Sequence, residues 1–303
     1  YRYKVNGEDE YEPNHRSIAI EVKKELKELE TFTDSYVNFI SNNKTERECV
    51  DTIVSEIEAE GYVNINKAIA AGKKLKAGDK IYAVNMNKSL IMFNVGTDSL
   101  EEGVNILGAH IDSPRLDLKP NPVYEDTEAA YFKTHYYGGI KKYQWTTIPL
   151  AIHGVVYTKD GQMHNIVIGE KDEDPIFYIT DLLPHLGSDQ MSKKASEFVA
   201  GEDLNVVIGG MPLKDCEKEP YKAYVLKYLN DNYGLEEKDF VTGEIEIVPA
   251  MKARDVGFDR AFIAAYGHDD KVCAYPALTA LFAQERPRKT CVCMLTDKEE
   301  IGS

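Results

Sequence analysis

Three short clusters in this sequence carry side chains able to hold a metal and move a proton. His110 and Asp112 are spaced by one residue, Asp269 and Asp270 are adjacent after Gly267-His268, and Glu299 and Glu300 are adjacent near the end. Where a chain is extended, residues two apart point the same way, so Asp112 can reach the His110 ring. A metal-bound imidazole commonly gives its other N–H to a carboxylate, which fixes tautomer and orientation. A carboxylate at Asp269 or Asp270 can lie between two metal ions, one on each oxygen, or it can cap the helix that follows. Adjacent glutamates can divide two tasks, one binding a metal and the other taking a proton from water. The alternative for Glu299-Glu300 is a solvated acidic turn.

The elements that must position these clusters are buried strands. In the segment 104–109 all but Asn105 are apolar, as expected for a strand covered on both faces, and the run leads directly into His110. Residues 291–295, Cys-Val-Cys-Met-Leu, have the same character and run into the acidic turn. Both clusters thus sit at ends of buried strands, where α/β proteins place their chemistry. The third cluster lies between an expected strand at 261–266 and an expected helix at 271–284. Upstream, the spacing predicts helices over 17–30 and 33–41, and a third from Thr45, where Thr45-Glu46-Arg47-Glu48 forms a capping-box pattern, to about Gly61. Residues 1–13 read as a loose polar arm. Strands are expected at 80–85 and 89–95.

From about Pro120 to Val248 the texture changes, punctuated by Pro120, Pro122, Pro149, Pro175, Pro184, Pro212 and Pro220. A hairpin is expected over 150–157 and 163–168, with short strands at 176–180 and 204–208 and a helix over 221–233 stopped by Gly234. The expected organisation is an α/β catalytic domain, residues 1–119 and 249–303, interrupted by a β-rich domain over 120–248.

Composition sets outer bounds. The 303 residues are 43% hydrophobic and 29% charged, a globular profile. The net charge of −15 argues against a nucleic-acid surface, which needs clustered Lys and Arg. No apolar run reaches the ~20 residues that span a membrane, and the first residues have no apolar signal core. Five cysteines, with no C-x-x-C pair, read as reduced thiols, so a cytoplasmic location is expected. The absence of an initiator Met, and the stop just after a strand and a charged turn, lead us to expect part of a longer protein.

Longer matches surround the three clusters. The order H-x-D, then D-D after a long insertion, then E-E at a strand end resembles co-catalytic zinc aminopeptidases, and the flanking residues resemble the M18 family among them. The matching stretches are Gly108-Ala109-His110-Ile111-Asp112-Ser113-Pro114-Arg115, Tyr137-Gly138-Gly139 with Ile148-Pro149-Leu150-Ala151, Asp181 to Leu186, Tyr266 to Ala274, and Asp297 to Ser303. The resemblance covers most of the chain after about residue 80. It implies a three-layer α/β/α zinc-peptidase domain with the inserted β-rich domain building dimer contacts, and assembly into a tetrahedral homo-dodecamer.

Carried over by position, the resemblance makes His110 a ligand of one metal, Asp269 the bridging carboxylate, Glu300 a ligand of the second metal and Glu299 the general base. Asp112 would orient His110, and His185 would reach a neighbouring subunit's site. His268 and Asp270 are left as pocket wall and helix cap. The implied cofactor is a pair of zinc ions, with manganese or cobalt also suited to such ligands; two further ligands, an Asp and a His, are expected beyond Ser303. The implied substrates are peptides, from which N-terminal residues are removed. Two other readings stand beside it: a dinuclear-metal carboxypeptidase or deacylase, and an oligomeric scaffold on a decayed site.

Overall fold

The computed structural model describes residues 16–302; the polar arm expected at 1–13 lies outside them. The chain opens with α1 (Arg16–Asn42), α2 (Glu46–Ala59), β1 (Val63–Asn64), α3 (Ile65–Ala70), β2 (Lys80–Asn85), β3 (Ser89–Asn94) and β4 (Asn105–His110). It continues through β5 (Arg115–Asp126), β6 (Ala129–Tyr137), β7 (Leu150–Tyr157), β8 (Met163–Ile168), α4 (Ser188–Met191), β9 (Val206–Gly209), α5 (Pro220–Tyr233) and β10 (Glu244–Pro249). It closes with β11 (Arg254–Val256), β12 (Phe262–Ala264), α6 (His268–Phe282) and β13 (Cys291–Thr296). Two compact units result: one takes the segments up to Ile111 and Lys252–Asp297, the other Asp112–Met251 and Lys298–Ser303.

In the first unit a five-stranded sheet runs β1-β2-β3-β13-β4. β13 pairs antiparallel with β3 and parallel with β4, with Thr296 opposite His110. The carboxyl ends of β4 and β13 therefore stand side by side. Leu90, Met92, Cys293 and Leu295 share a sheet face, as the pairings Met92–Cys293 and Leu90–Leu295 require. That face packs with Tyr36, Phe39 and Ile40 of α1, Val50, Ile53 and Ile57 of α2, and Leu278 and Leu281 of α6. Burying a Leu or Ile side chain stabilises by about 1.5–3 kcal/mol, so this cluster fixes the layer from which both strand ends emerge.

Three expectations need correction here. The helices expected at 17–30 and 33–41 are one helix, α1. No Gly or Pro stands between Ser17 and Asn42 to break it, and Thr31 and Ser35 return their hydroxyls to carbonyls four residues back, satisfying them within the helix. Among the described residues β4 is the edge strand of its sheet, with Ile106 59% and Leu107 49% exposed, so cover on both faces is not met within them. The last helix begins at His268, three residues before the expected start, although Asp269 and Asp270 have non-helical backbone.

The second unit is built on a six-stranded antiparallel sheet in the order β8-β7-β10-β5-β6-β9. The hairpin β7–β8 is the one expected. The longest hairpin, β5–β6, was hidden in the sequence by Pro120 and Pro122. Proline removes a ladder donor and is confined to edges and irregularities, and both prolines fall where the pairing shifts register between Leu118 and Val123. The segment 176–180 forms only isolated bridges through Phe177 and Tyr178. α5 ends at Gly234 in the left-handed conformation, as its sequence foretold. Among the described residues no helix is long and apolar enough to cross a membrane, and all five cysteines are free thiols.

Candidate metal centre

In the first unit, β4 delivers His110 at its last position with the side chain 9% exposed. The chain meets it again in the turn that opens α6. Gly267 takes φ +82°, a left-handed conformation that suits glycine. Asp269 and Asp270 follow with extended and bridging backbone angles, joined by a cis peptide. This turn presents Asp269 with an 87% exposed side chain, whose Oδ1 lies 3.2 Å from His110 Nε2. Two ligands of one zinc, each at about 2.1 Å in tetrahedral geometry, stand roughly 3.4 Å apart. The observed nitrogen–oxygen separation suits a shared ion, and an imidazole with a carboxylate is a donor set zinc accepts.

His268 is occupied differently. Its Nε2 donates to the Ile263 carbonyl at 3.1 Å, and its Nδ1 accepts from the Tyr36 hydroxyl at 2.8 Å. Both ring nitrogens are used in tying the turn to α1 and β12, which fits a wall residue rather than a ligand. The Cys273 thiol donates to Asp270, and this hydrogen bond is the main reason its pKa is raised. Asp270 thus bonds a side chain of the first helical turn. Lys271, next along, is fully buried, its Nζ 3.5 Å from the Lys44 carbonyl.

In the second unit, Glu299–Ile301 form one 3-10 turn bracketed by Lys298 at φ +76° and Gly302 at φ +70°. Glu299 is exposed and Glu300 half-buried. The Glu300 N–H donates to Asp112 Oδ2 at 3.2 Å, and the Tyr137 hydroxyl donates to the same oxygen at 2.6 Å. Asp112 is fully buried. A buried carboxylate needs such donors, and charge-assisted bonds of this length are among the stronger ones. Tyr137 in turn lies under Arg115, whose Cζ is 4.0 Å from the ring centroid. Arg115 is buried and paired with Asp117 at 2.8 Å and Glu246 at 3.3 Å.

The first unit therefore brings together His110 and Asp269, and the second brings together Asp112 and Glu300. His185 sits in an exposed turn of the second unit, between exposed Pro184 and Leu186. Sequence reasoning did not assign Tyr137 or Arg115 a task. Both stand in motif stretches quoted above, so the signal was present without its meaning. A cavity of about 460 Å³ in the second unit, lined by Phe132, Tyr178, Tyr224 and Tyr228 among others, contains none of the candidate residues.

Residues 39–303 match the sequence model of a family described as aminopeptidase I zinc metalloprotease (M18). The chain belongs to the M18 family. It is 55% identical over 281 residues to a probable M18 family aminopeptidase 1 of Clostridium acetobutylicum, covering 92% of this chain and 60% of that relative. A counterpart from Thermotoga neapolitana is 51% identical over 276 residues, covering 91% and 59%. The crystal structure of the M18 aminopeptidase from Thermotoga maritima superposes with a TM-score of 0.86 at 49% identity, over 91% of this chain and 60% of that one. The aminopeptidase I structure from Clostridium acetobutylicum gives 0.85 at 50% identity, over 92% and 62%. The α/β expectation agrees with these M18 folds. The chain spans about 60% of the length of the relatives it matches.

Proposed function

We propose that this M18 protein is a dinuclear-zinc aminopeptidase that removes N-terminal residues from peptides. The observation that carries the proposal is the approach of His110 Nε2 and Asp269 Oδ1 to 3.2 Å, in a chain whose family is described as a zinc metalloprotease. His110, Asp269 and Glu300 are the residues that would hold the metal, with Asp269 as the carboxylate shared between two ions and Glu300 serving the second. Zinc bound there supplies a Lewis acid for the scissile carbonyl and makes water acidic enough to serve as nucleophile near neutral pH.

The protein's own groups do the rest. Glu299, exposed and adjacent to the ligand Glu300, accepts the proton of the attacking water and returns it to the departing amine. A carboxylate suits this alternation because it can act as base and then as acid. Asp112 keeps its proposed task of orienting His110, two residues before it in sequence.

The region 120–248 acts as an inserted domain that builds subunit contacts. His185, in its exposed turn, reaches a neighbouring subunit's site. A yeast protein of the same fold, mApe1, is solved as a dodecamer at a TM-score of 0.64 and 20% identity, and we propose a homo-oligomer for this protein too. Five free thiols favour a cytoplasmic setting.

Glu299→Gln in the full-length protein tests the mechanism. We expect hydrolysis of free-amine peptides to fall by at least about 100-fold, at the lower end of what general acid–base catalysis supplies, with zinc content unchanged. Turnover at the wild-type rate would remove Glu299 from the role. Equal hydrolysis of N-acetylated and free-amine peptides would favour the deacylase or carboxypeptidase reading.

A further inference from the structure

The Tyr137-Gly138 corner at the end of β6 has no task in the reaction as described, yet three observations tie it to the Glu299–Ile301 turn and the residue before it. Lys298, which precedes that turn, lays its Nζ 5.2 Å from the Tyr137 ring centroid. The Tyr137 hydroxyl and the Glu300 N–H share Asp112 Oδ2. Gly138, at φ +74°, leaves room where a Cβ would come within 3.1 Å of Glu300 Cβ and 3.3 Å of Glu300 Oε2. These contacts differ in kind: cation over ring, a shared acceptor, and a close approach that a Cβ at this backbone angle would crowd.

We propose that Tyr137 is a positioning residue for Glu300, acting through Asp112, and that Gly138 is the surface against which the Glu300 side chain is set. The inference rests on the reading of Glu300 as a metal ligand. Arg115, itself buried and fixed by Asp117 and Glu246, holds the Tyr137 ring. The ring fixes where the hydroxyl points, and the hydroxyl fixes one oxygen of Asp112. That oxygen then holds the Glu300 N–H. With the peptide nitrogen held and Gly138 against Cβ, the carboxylate has little freedom of direction. Such precision matters because a misplacement of about 1 Å at a reacting centre can cost on the order of 100-fold in rate. Partners behind a ligand commonly contribute 10–100-fold to metal affinity or activity.

Tyr137→Phe tests this in the full-length protein, since it removes the hydroxyl and keeps the ring between its neighbours. Amide hydrogen exchange across 297–302 in zinc-free protein reads the turn directly, and competition with a chelating dye reads zinc affinity. The expected result is roughly tenfold faster exchange at the Glu300 amide and roughly tenfold weaker binding of the weaker zinc, with the thermal midpoint nearly unchanged. Gly138→Ala reaches the same turn by a different contact and is expected to weaken the same zinc. Wild-type exchange in Tyr137→Phe, or wild-type zinc affinity in both variants, overturns the proposal. If the wild-type protein binds no zinc, the reading of Glu300 as a ligand fails, and with it the positioning role; the exchange result then reports only how the turn is held.

Discussion

His110 Nε2 and Asp269 Oδ1 lie 3.2 Å apart although 159 residues separate them in the chain. One belongs to a strand end and the other to the turn that opens α6, so the approach is set by the packing of that helix against the sheet. If Asp269 bridges two ions and His110 serves one, their substitutions differ in outcome. Asp269→Asn should lose both zinc equivalents per chain, and His110→Ala only one, as measured by elemental analysis after gel filtration. Asp269 is largely exposed, so its substitution should move metal-free stability by no more than about 0.5 kcal/mol. Two zinc equivalents retained in Asp269→Asn would exclude a bridging role.

Legibility in the sequence followed the range of the interaction. The capping box at Thr45, the glycine stop after α5 and the hairpin β7–β8 are set by neighbours in sequence, and all stand as read. The strand ends carrying His110 and the acidic turn were legible because an apolar run followed by charged residues is a local pattern. The β5–β6 hairpin was not, since its prolines argue against a strand until the register shift that accommodates them is seen. The task of Tyr137 was equally hidden. Its partner Asp112 is 25 residues away, and nothing in a tyrosine before two glycines says which carboxylate it meets.

Thr45 offers a test of how much a local signal contributes. Its hydroxyl accepts from the Glu48 N–H at 3.3 Å, and the Glu48 carboxylate accepts from the Thr45 N–H at 3.0 Å and the Lys44 N–H at 2.8 Å. Thr45→Ala leaves an orphan donor at a buried helix start and should cost about 1 kcal/mol. Thr45→Ser should recover most of it. Urea midpoints of the three proteins check this, and an unchanged midpoint in Thr45→Ala would show that the helix start is held by packing alone.

Alkaline pH should weaken the first unit through groups that burial keeps neutral. Cys293 is fully buried in β13, an interior strand of its sheet, and desolvation pushes its thiol from 9.0 up to about 12. The Tyr36 and Tyr62 hydroxyls are pushed well above the usual phenol range, chiefly by the same cause. For an acid whose folded pKa is raised, the folded state holds its proton where the unfolded state has released it. The Cys293 contribution is therefore full below about pH 9 and is lost as pH rises towards 12, while those of Tyr36 and Tyr62 begin to fall only above about pH 10. The loss per group is about 1.4 kcal/mol for each pH unit in that window. Cys293→Ala removes the thiol's share. It should be less stable than wild type at pH 8, because it leaves a small cavity, and the gap should narrow by about 1–2 kcal/mol at pH 10.5. Equilibrium urea unfolding at the two pH values measures the gap. A constant gap would mean that the Cys293 thiol does not titrate differently in the folded and unfolded chains.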